Sequence, residues 1–504
     1  MTDSPEKDNS SAIADDERRE EKSGRNSNSY RSILKGTSIF GGVQLFQIVV
    51  NLIRGKFVAL FLGPAGMGVS SLFSSSAQTL QQLSSLGLNL AIVKDVAVAK
   101  DDPESMRSAM AVVRRLVSCT ALLGALICFL FAGVLSRFTF GTDAYTWQFM
   151  LLSVMIFLTV AGQGYLSVLQ GLHEVKRISR ASIVGSLTGL VAGVPLYAFF
   201  GTAGIVPAMV ILALSTFICY VHGVRKAIPG ERRRFEWQSH GRMARKLVAL
   251  GLILMASDLI GAGCNYLVNL YIRTQGELTD VGLFQAANSV TNQYAGVVFT
   301  AMMLDFFPRL SAAASDNGMV RMIVNRQLEI VALIATPLVC LLILSSPLVI
   351  RILLTESFLP ILPLMRWLGV GVLLKALMFP LGYITFAKEN RRLFFWLEGV
   401  TGNLMFLLLS CGFYHFFGLI GLGYSLIIDC SICFIIYYLV NARLYGYSMN
   451  RASTLEALVA LLLGGSCFAC SLIATPAIAY SLMTLISLLA ILRSIRSLRR
   501  RLRS

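Results

Sequence analysis

A chain of 504 residues that is 55% hydrophobic and only 14% charged carries too little charge for an ordinary soluble protein, and apolar runs long enough to cross a bilayer recur along most of it. Its 44 basic and 27 acidic residues give a net charge of +17, which in a soluble protein would point to nucleic acid. Here the basic residues sit in short segments between apolar runs, as membrane topology requires, so a nucleic-acid partner and a large soluble helical protein are both excluded, leaving an all-α polytopic membrane protein.

In chain order, residues 1–30 are polar, mixed in charge and lack an apolar core. They predict a disordered cytoplasmic tail rather than a signal peptide. Fourteen spans follow, at 33–53, 66–92, 113–136, 146–169, 179–200, 203–222, 248–272, 281–304, 327–349, 361–386, 391–411, 416–439, 454–472 and 475–492. The last two are separated by the tight Thr475-Pro476 turn. Every even-numbered span is followed by a basic segment, from Lys94, Lys100 and Arg107 after the second to RSIRSLRRRLRS after the last. The odd-numbered loops carry few charges: Arg54, Lys56, Arg137, Arg273 and Arg351. The positive-inside rule then puts both termini in the cytoplasm.

The stretch NLIRGKFVALFLGPAGMG, residues 51–68, joins the first two spans. A nucleotide-binding phosphate loop needs GxxxxGK[ST] between a strand and a helix. This stretch lacks the Lys-Ser/Thr and links two membrane helices on the outer side, so it reads as a turn that lets helix ends approach. The Cys430–Cys433 and Cys467–Cys470 pairs lie in apolar runs with no histidine close by. They read as small membrane-helix residues rather than ligands, and neither a metal, a cofactor nor a catalytic residue is expected.

Four spans own polar stripes at helical spacing. The first carries Gln44, Gln47, Asn51 and Arg54, and the second Gln78, Gln82, Ser85 and Asn89. The seventh carries Asp258, Asn265, Asn269 and Arg273, and the eighth Gln285, Asn288, Asn292 and Tyr294. One alternative is that these amides only hydrogen-bond helix to helix. A wet cavity satisfies all four stripes together, because a charge at mid-membrane costs about 2.5–3.5 kcal/mol on insertion scales and amides also need partners. Asp258 is a candidate cation or proton site or a salt-bridge partner. Lys375, in mid-span, faces a cavity or a carboxylate, and Arg366 faces the cavity or snorkels to the surface. Arg54 and Arg273 lie at matching outer positions of the first and seventh spans. That weak internal match predicts two parallel repeats: an N-lobe (31–230) and a C-lobe (231–450), with 451–504 an added helix pair and basic tail.

The segment KFVALFLGPAGMG, with its LGPAG core, resembles the loop of the Wzx-type polysaccharide-biosynthesis flippases, members of the multidrug/oligosaccharidyl-lipid/polysaccharide exporter superfamily. The segment FLPILPLMRWLGVGVLLKALMFPLGYITFAKEN from Phe358, with Arg366-Trp367 and Pro380-Leu381-Gly382, is similar to a second family region, and the layout matches from residue 31 to 450 or beyond. The chain departs from the family pattern in having two spans beyond the usual twelve and Gly371-Val372 where the pattern carries an acid that bears on ion coupling.

The resemblance implies a MATE-like two-lobe bundle of twelve plus two helices in the cell inner membrane. It implies an alternating-access carrier for undecaprenyl-diphosphate-linked oligosaccharide in exopolysaccharide or O-antigen synthesis, with no hydrolysis. Arg54, Arg273, Lys375 and Arg366 would meet the diphosphate. Gln44, Gln47, Asn51, Gln78, Gln82, Asn89, Asn265, Asn269, Asn288 and Asn292 would line the sugar path. Asp258 would couple to H+ or Na+, and a polysaccharide polymerase and assembly proteins would be partners. The competing readings are a lipid II flippase, a small-molecule exporter of the same superfamily, and a non-transporting scaffold of a polysaccharide assembly complex.

Overall fold

The computed structural model describes residues 8–100, 102–228 and 237–503, and for some stretches within helices the backbone alone. Its sixteen α-helices are α1 (Asp8–Ser85), α2 (Leu88–Val98), α3 (Pro103–Leu130), α4 (Ala132–Phe140), α5 (Thr146–Gly171), α6 (Val175–Phe200), α7 (Ile205–Ala227), α8 (Trp237–Gln275), α9 (Leu278–Ala312), α10 (Asn317–Leu353), α11 (Leu362–Ala387), α12 (Arg391–Phe394), α13 (Asn403–Phe417), α14 (Gly421–Tyr445), α15 (Arg451–Cys470) and α16 (Pro476–Arg503). No strand occurs among the described residues.

Nine stretches of the described residues have the length and hydropathy of membrane crossings, and three of these hold two crossings each. Phe46–Ser85 turns at Gly63, Val175–Ala227 contains α6 and α7, and Arg392–Tyr445 contains the π-helical Phe395–Gly402, α13 and α14. With α8 and α9, every span read from the sequence has a helix. The chain is a multi-pass helical membrane protein.

Local chemistry sets the helix ends. Asp102 opens α3 by accepting from the Glu104 and Ser105 amides at 3.0 and 3.2 Å, with Pro103 at the first helical position. Asp316 opens α10 by accepting from the Gly318 amide at 2.7 Å. The turn inside the 51–68 stretch is made by Gly63, at φ 64° and ψ −169°, a region open essentially to glycine. α1 begins at Asp8, and straight-chain residues such as Glu17, Arg18, Arg19, Glu20 and Lys22 favour helix locally.

Between helices in lipid, close fit rather than water exclusion supplies the attraction. Thus α6 and α7 pack where Thr216 and Leu212 fill the space left by Gly185 and Gly189. A core of Phe73, Phe140 and Phe149 joins α1, α4 and α5, with ring centroids 5.0 Å (Phe73–Phe140) and 5.2 Å (Phe73–Phe149) apart. The second half of α1 is the hinge of the architecture, because it packs on α6 and α3 and also on α8 and α9. α15 and α16 lie against α10, where the Ser494 hydroxyl donates to the Leu333 carbonyl at 2.6 Å and Glu456 pairs with Arg493.

Candidate transport path

The two ends of the bundle are named here by their glycines. At the Gly63 end α1 meets α9, where a Cβ on Gly282 would collide with the Pro64 carbonyl and one on Gly68 with the Leu278 carbonyl. At the Gly87 end it meets α8, where a Cβ on Gly251 would collide with the Leu86 carbonyl and Gly87, at φ 62°, abuts Gly251. Backbone thus touches backbone between α1–α7 and α8–α14 at both ends.

Between these contacts lie the polar stripes. Asn51 and Gln78 of α1, Asp258 and Asn265 of α8, and Asn292 of α9 are exposed. Gln47, Gln82, Asn89 and Asn288 are half-buried and Asn269 is buried, while the side chains of Gln44 and Tyr294 lie outside the described residues. On α8 and α9 the stripes are laddered within the helix. Asn269 donates to the Asn265 amide oxygen at 3.1 Å, and Asn292 to the Asn288 oxygen at 2.7 Å. Between the stripe-bearing helices, the Ser71 hydroxyl donates to the Gln285 amide oxygen at 3.2 Å and the Thr79 hydroxyl to the Ala262 carbonyl at 3.3 Å. The ladders leave most amide hydrogen-bonding capacity free on exposed faces of three mutually packed helices. Amides at membrane depth need water or a polar ligand, because hydrocarbon gives them no partner.

The four cations expected at one diphosphate each have different protein neighbours. Arg54 is near enough to Tyr197 of α6 for its charge to act on the tyrosine hydroxyl. Arg273 reaches from α8 to the Phe140 carbonyl at the end of α4. It also lines an open cavity of about 520 Å³ with Thr274, Gly276, Glu277, Leu278 and Thr279. Arg366 donates to the Ser471 carbonyl at 3.0 Å, capping the end of α15. Lys375 of α11 has a carboxylate neighbour, Asp429 of α14.

Sequence reasoning passed over three of these neighbours. Asp429 and Glu398 are lone acids in apolar runs, which is signal enough to name them. Glu398 lies in the π-helical turn and accepts from the Tyr437 hydroxyl. The Asp429 Oδ1 atom is buried with no hydrogen-bond partner among the described residues. Lys56 was read only as a loop charge, yet it donates to the Arg351 carbonyl at 3.0 Å and to the Leu354 carbonyl at the end of α10. Among the described residues, no group of three or more His, Cys, Asp or Glu is placed to hold a metal.

Residues 57–363 match the model of a protein family described as polysaccharide biosynthesis protein. The chain belongs to that family. Within reach of this polysaccharide biosynthesis protein are two curated relatives called lipid III flippase. The one from Escherichia coli strain K12 is 23% identical over 369 residues, covering 72% of this chain and 87% of the relative. That from Shigella flexneri has the same identity and coverage. Among solved structures, lipid II flippase MurJ in an inward closed conformation superposes with a TM-score of 0.71 at 14% identity, covering 92% of this chain and 99% of that one. An inward-facing multidrug resistance MATE family transporter of the MOP superfamily gives a TM-score of 0.66 at 16% identity, covering 79% and 94%. At such identities the structures show the fold, a MATE-like helical bundle. These relatives are flippases and transporters, not enzymes.

Proposed function

We propose that this protein is a flippase that carries an undecaprenyl-diphosphate-linked oligosaccharide repeat unit across the inner membrane by alternating access. The observation that carries the reading is the set of exposed amides on α1, α8 and α9 at membrane depth. Amides and hydroxyls suit a neutral, hydroxyl-rich sugar. They would be a poor lining for a hydrophobic drug cation, which calls for acids and aromatics. Family membership and the lipid III flippase relatives support the same cargo class. The sugar chemistry is that of an exopolysaccharide or O-antigen repeat unit.

In this reading α1–α7 and α8–α14 are the two lobes, and the basic segments hold the Gly87 end and both termini in the cytoplasm. The Gly63 end is then the periplasmic end. The sugar occupies the space lined by Gln47, Asn51, Gln78, Gln82, Asn89, Asn265, Asn269, Asn288 and Asn292, while the polyprenyl tail stays in lipid between the lobes. Arg54 and Arg273 meet the diphosphate, because a guanidinium fork binds phosphate oxygens in pairs. Lys375, balanced by Asp429, contributes a hydrogen-bond donor more than net charge. Arg366 spends one nitrogen on α15 and contributes mainly its field. Asp258, exposed on α8, is the acid assigned to H+ or Na+ coupling. A polymerase and assembly proteins consume the flipped unit.

The test is made in cells lacking the protein, with lipid-linked glycans probed on spheroplasts by a membrane-impermeant glycosidase. The reading expects a complete oligosaccharide to accumulate beyond the enzyme's reach, facing the cytoplasm, with no polymer outside. Outward-facing intermediates would move the block to polymerisation or scaffolding, and unchanged glycans would favour a small-molecule exporter.

A further inference from the structure

Besides the Ser71–Gln285 bond, three side-chain contacts among the described residues at the Gly63 end join α1–α7 to α8–α14, and two of them are chemically the same device used in opposite directions. Lys56, on α1, donates to the Arg351 and Leu354 carbonyls at the C-terminal end of α10. Arg273, on α8, donates to the Phe140 carbonyl at the C-terminal end of α4 and lies against Gly141. The third contact, between the Thr139 hydroxyl and the Tyr266 hydroxyl at 2.6 Å, lies beside the second. Each half of the molecule therefore lends a cation to a helix end of the other.

A helix C-terminus is a fitting partner for such a contact. Its last carbonyls have no intrahelical donor, and the helix dipole places negative charge there. The contact can also be undone. These helix ends lie where the spans terminate, so water can take over the carbonyls and the ammonium or guanidinium when the two halves part. A charge buried against a carboxylate in mid-membrane would have no such replacement. At the same end lies the seam of Gly68 and Gly282, where the backbones are too close for any side chain.

We propose that the Gly63 end is a gate held shut by these two reciprocal latches, Lys56 on the end of α10 and Arg273 on the end of α4, with the Gly68–Gly282 seam as the surface they clamp. Lys56 and Arg273 act here as positioning residues, whatever the cargo. Opening the Gly63 end requires both cations to leave their carbonyls and the seam to part, while the Gly87–Gly251 contact at the other end stays closed. The gate does not depend on the assignment of Arg273 to a diphosphate, because the latch is a contact between two elements of the chain itself.

The experiment is hydrogen–deuterium exchange by mass spectrometry on the full chain in lipid nanodiscs, which needs no change to the native cysteines. In the Lys56→Met, Arg273→Met double variant, exchange in residues 139–143, 275–282 and 353–358 is expected to rise at least about tenfold, the order of one charge-assisted hydrogen bond. Residues 85–91, at the other end, should exchange at the unmodified rate or more slowly. Lys56→Arg keeps the charge and the donor, and should keep the slow exchange. Gly282→Ala drives a methyl into the Pro64 carbonyl, so it should open the same end by a different route. Unchanged exchange at the Gly63 end in the double variant would overturn the proposal, and so would an equal rise at both ends, which is loss of fold. If only Gly282→Ala opens the gate, the seam closes it and the latches do not.

Discussion

At the scale of residues, what distinguishes this bundle is where it leaves hydrogen-bonding capacity. Asn265 and Asn292 accept from or donate to a neighbour one turn away and remain exposed. Gln78 and Asn51 are exposed on α1. Arg54 and Arg273, by contrast, are cations with different surroundings, one near Tyr197 and the other on a helix end. Their proposed work on a diphosphate predicts that an Arg54→Ala, Arg273→Ala double variant loses at least about tenfold in polysaccharide export, compared at equal protein level in the membrane. An Arg54→Lys, Arg273→Lys variant should recover part of the loss, since a point charge replaces the fork. Near-normal export in the alanine variant would remove these residues from the path. Single changes of Gln78 or Asn265 to Leu should cost less, because a row of amides shares the sugar contacts.

At the scale of elements, the Gly63 turn and the α15–α16 pair each carry a testable consequence. Nothing lies within 4 Å of the position a Cβ on Gly63 would take. The cost of Gly63→Ala is therefore backbone strain alone, about 1–3 kcal/mol, and should appear as a lower thermal midpoint of the purified protein with no new clash. An unchanged midpoint would mean that the turn relaxes freely. In α15–α16, Glu456 is buried and pairs with Arg493. Breaking the pair by Glu456→Leu, which leaves the Arg493 guanidinium without this carboxylate, or by Arg493→Leu should release α16 to proteolysis. Replacing both by Leu should restore much of the resistance. If the double variant is as labile as the singles, the pair is not what docks α16.

These elements also mark how far the sequence could be read. The spans were legible because apolar length and basic loops follow directly from partition between lipid and water, and the turn at 62–66 because Gly and Pro punctuate it. The polar faces were legible from spacing alone, since Gln78, Gln82 and Asn89 recur at helical steps. Partners were not legible. Asp429, 54 positions beyond Lys375, stands beside it only because α11 packs on α14. Lys56 looks like a loop charge until α1 is laid against the end of α10. Glu398 was missed although a lone acid in an apolar run was a sufficient warning. Nor was it legible that the carbonyls of helix ends compete for cations, as that of Ser471 does for Arg366.

At the scale of the whole molecule, the proposed exchange of access turns on one helix. The second half of α1 touches α9 at one end and α8 at the other, both through glycine. A rocking motion that parts one contact can preserve the other, which is the geometry alternating access asks for. The exposed amides lie between. The most direct test is reconstitution. Purified protein would be placed in liposomes containing a polyprenyl-diphosphate-linked oligosaccharide, and an external impermeant glycosidase would report the fraction of substrate in the outer leaflet over time. The account predicts that substrate from the inner leaflet becomes cleavable in proteoliposomes and stays protected in protein-free vesicles. If the protected fraction persists with folded protein present, while a small organic cation is moved by the same vesicles, the protein is an exporter and the flippase account is wrong.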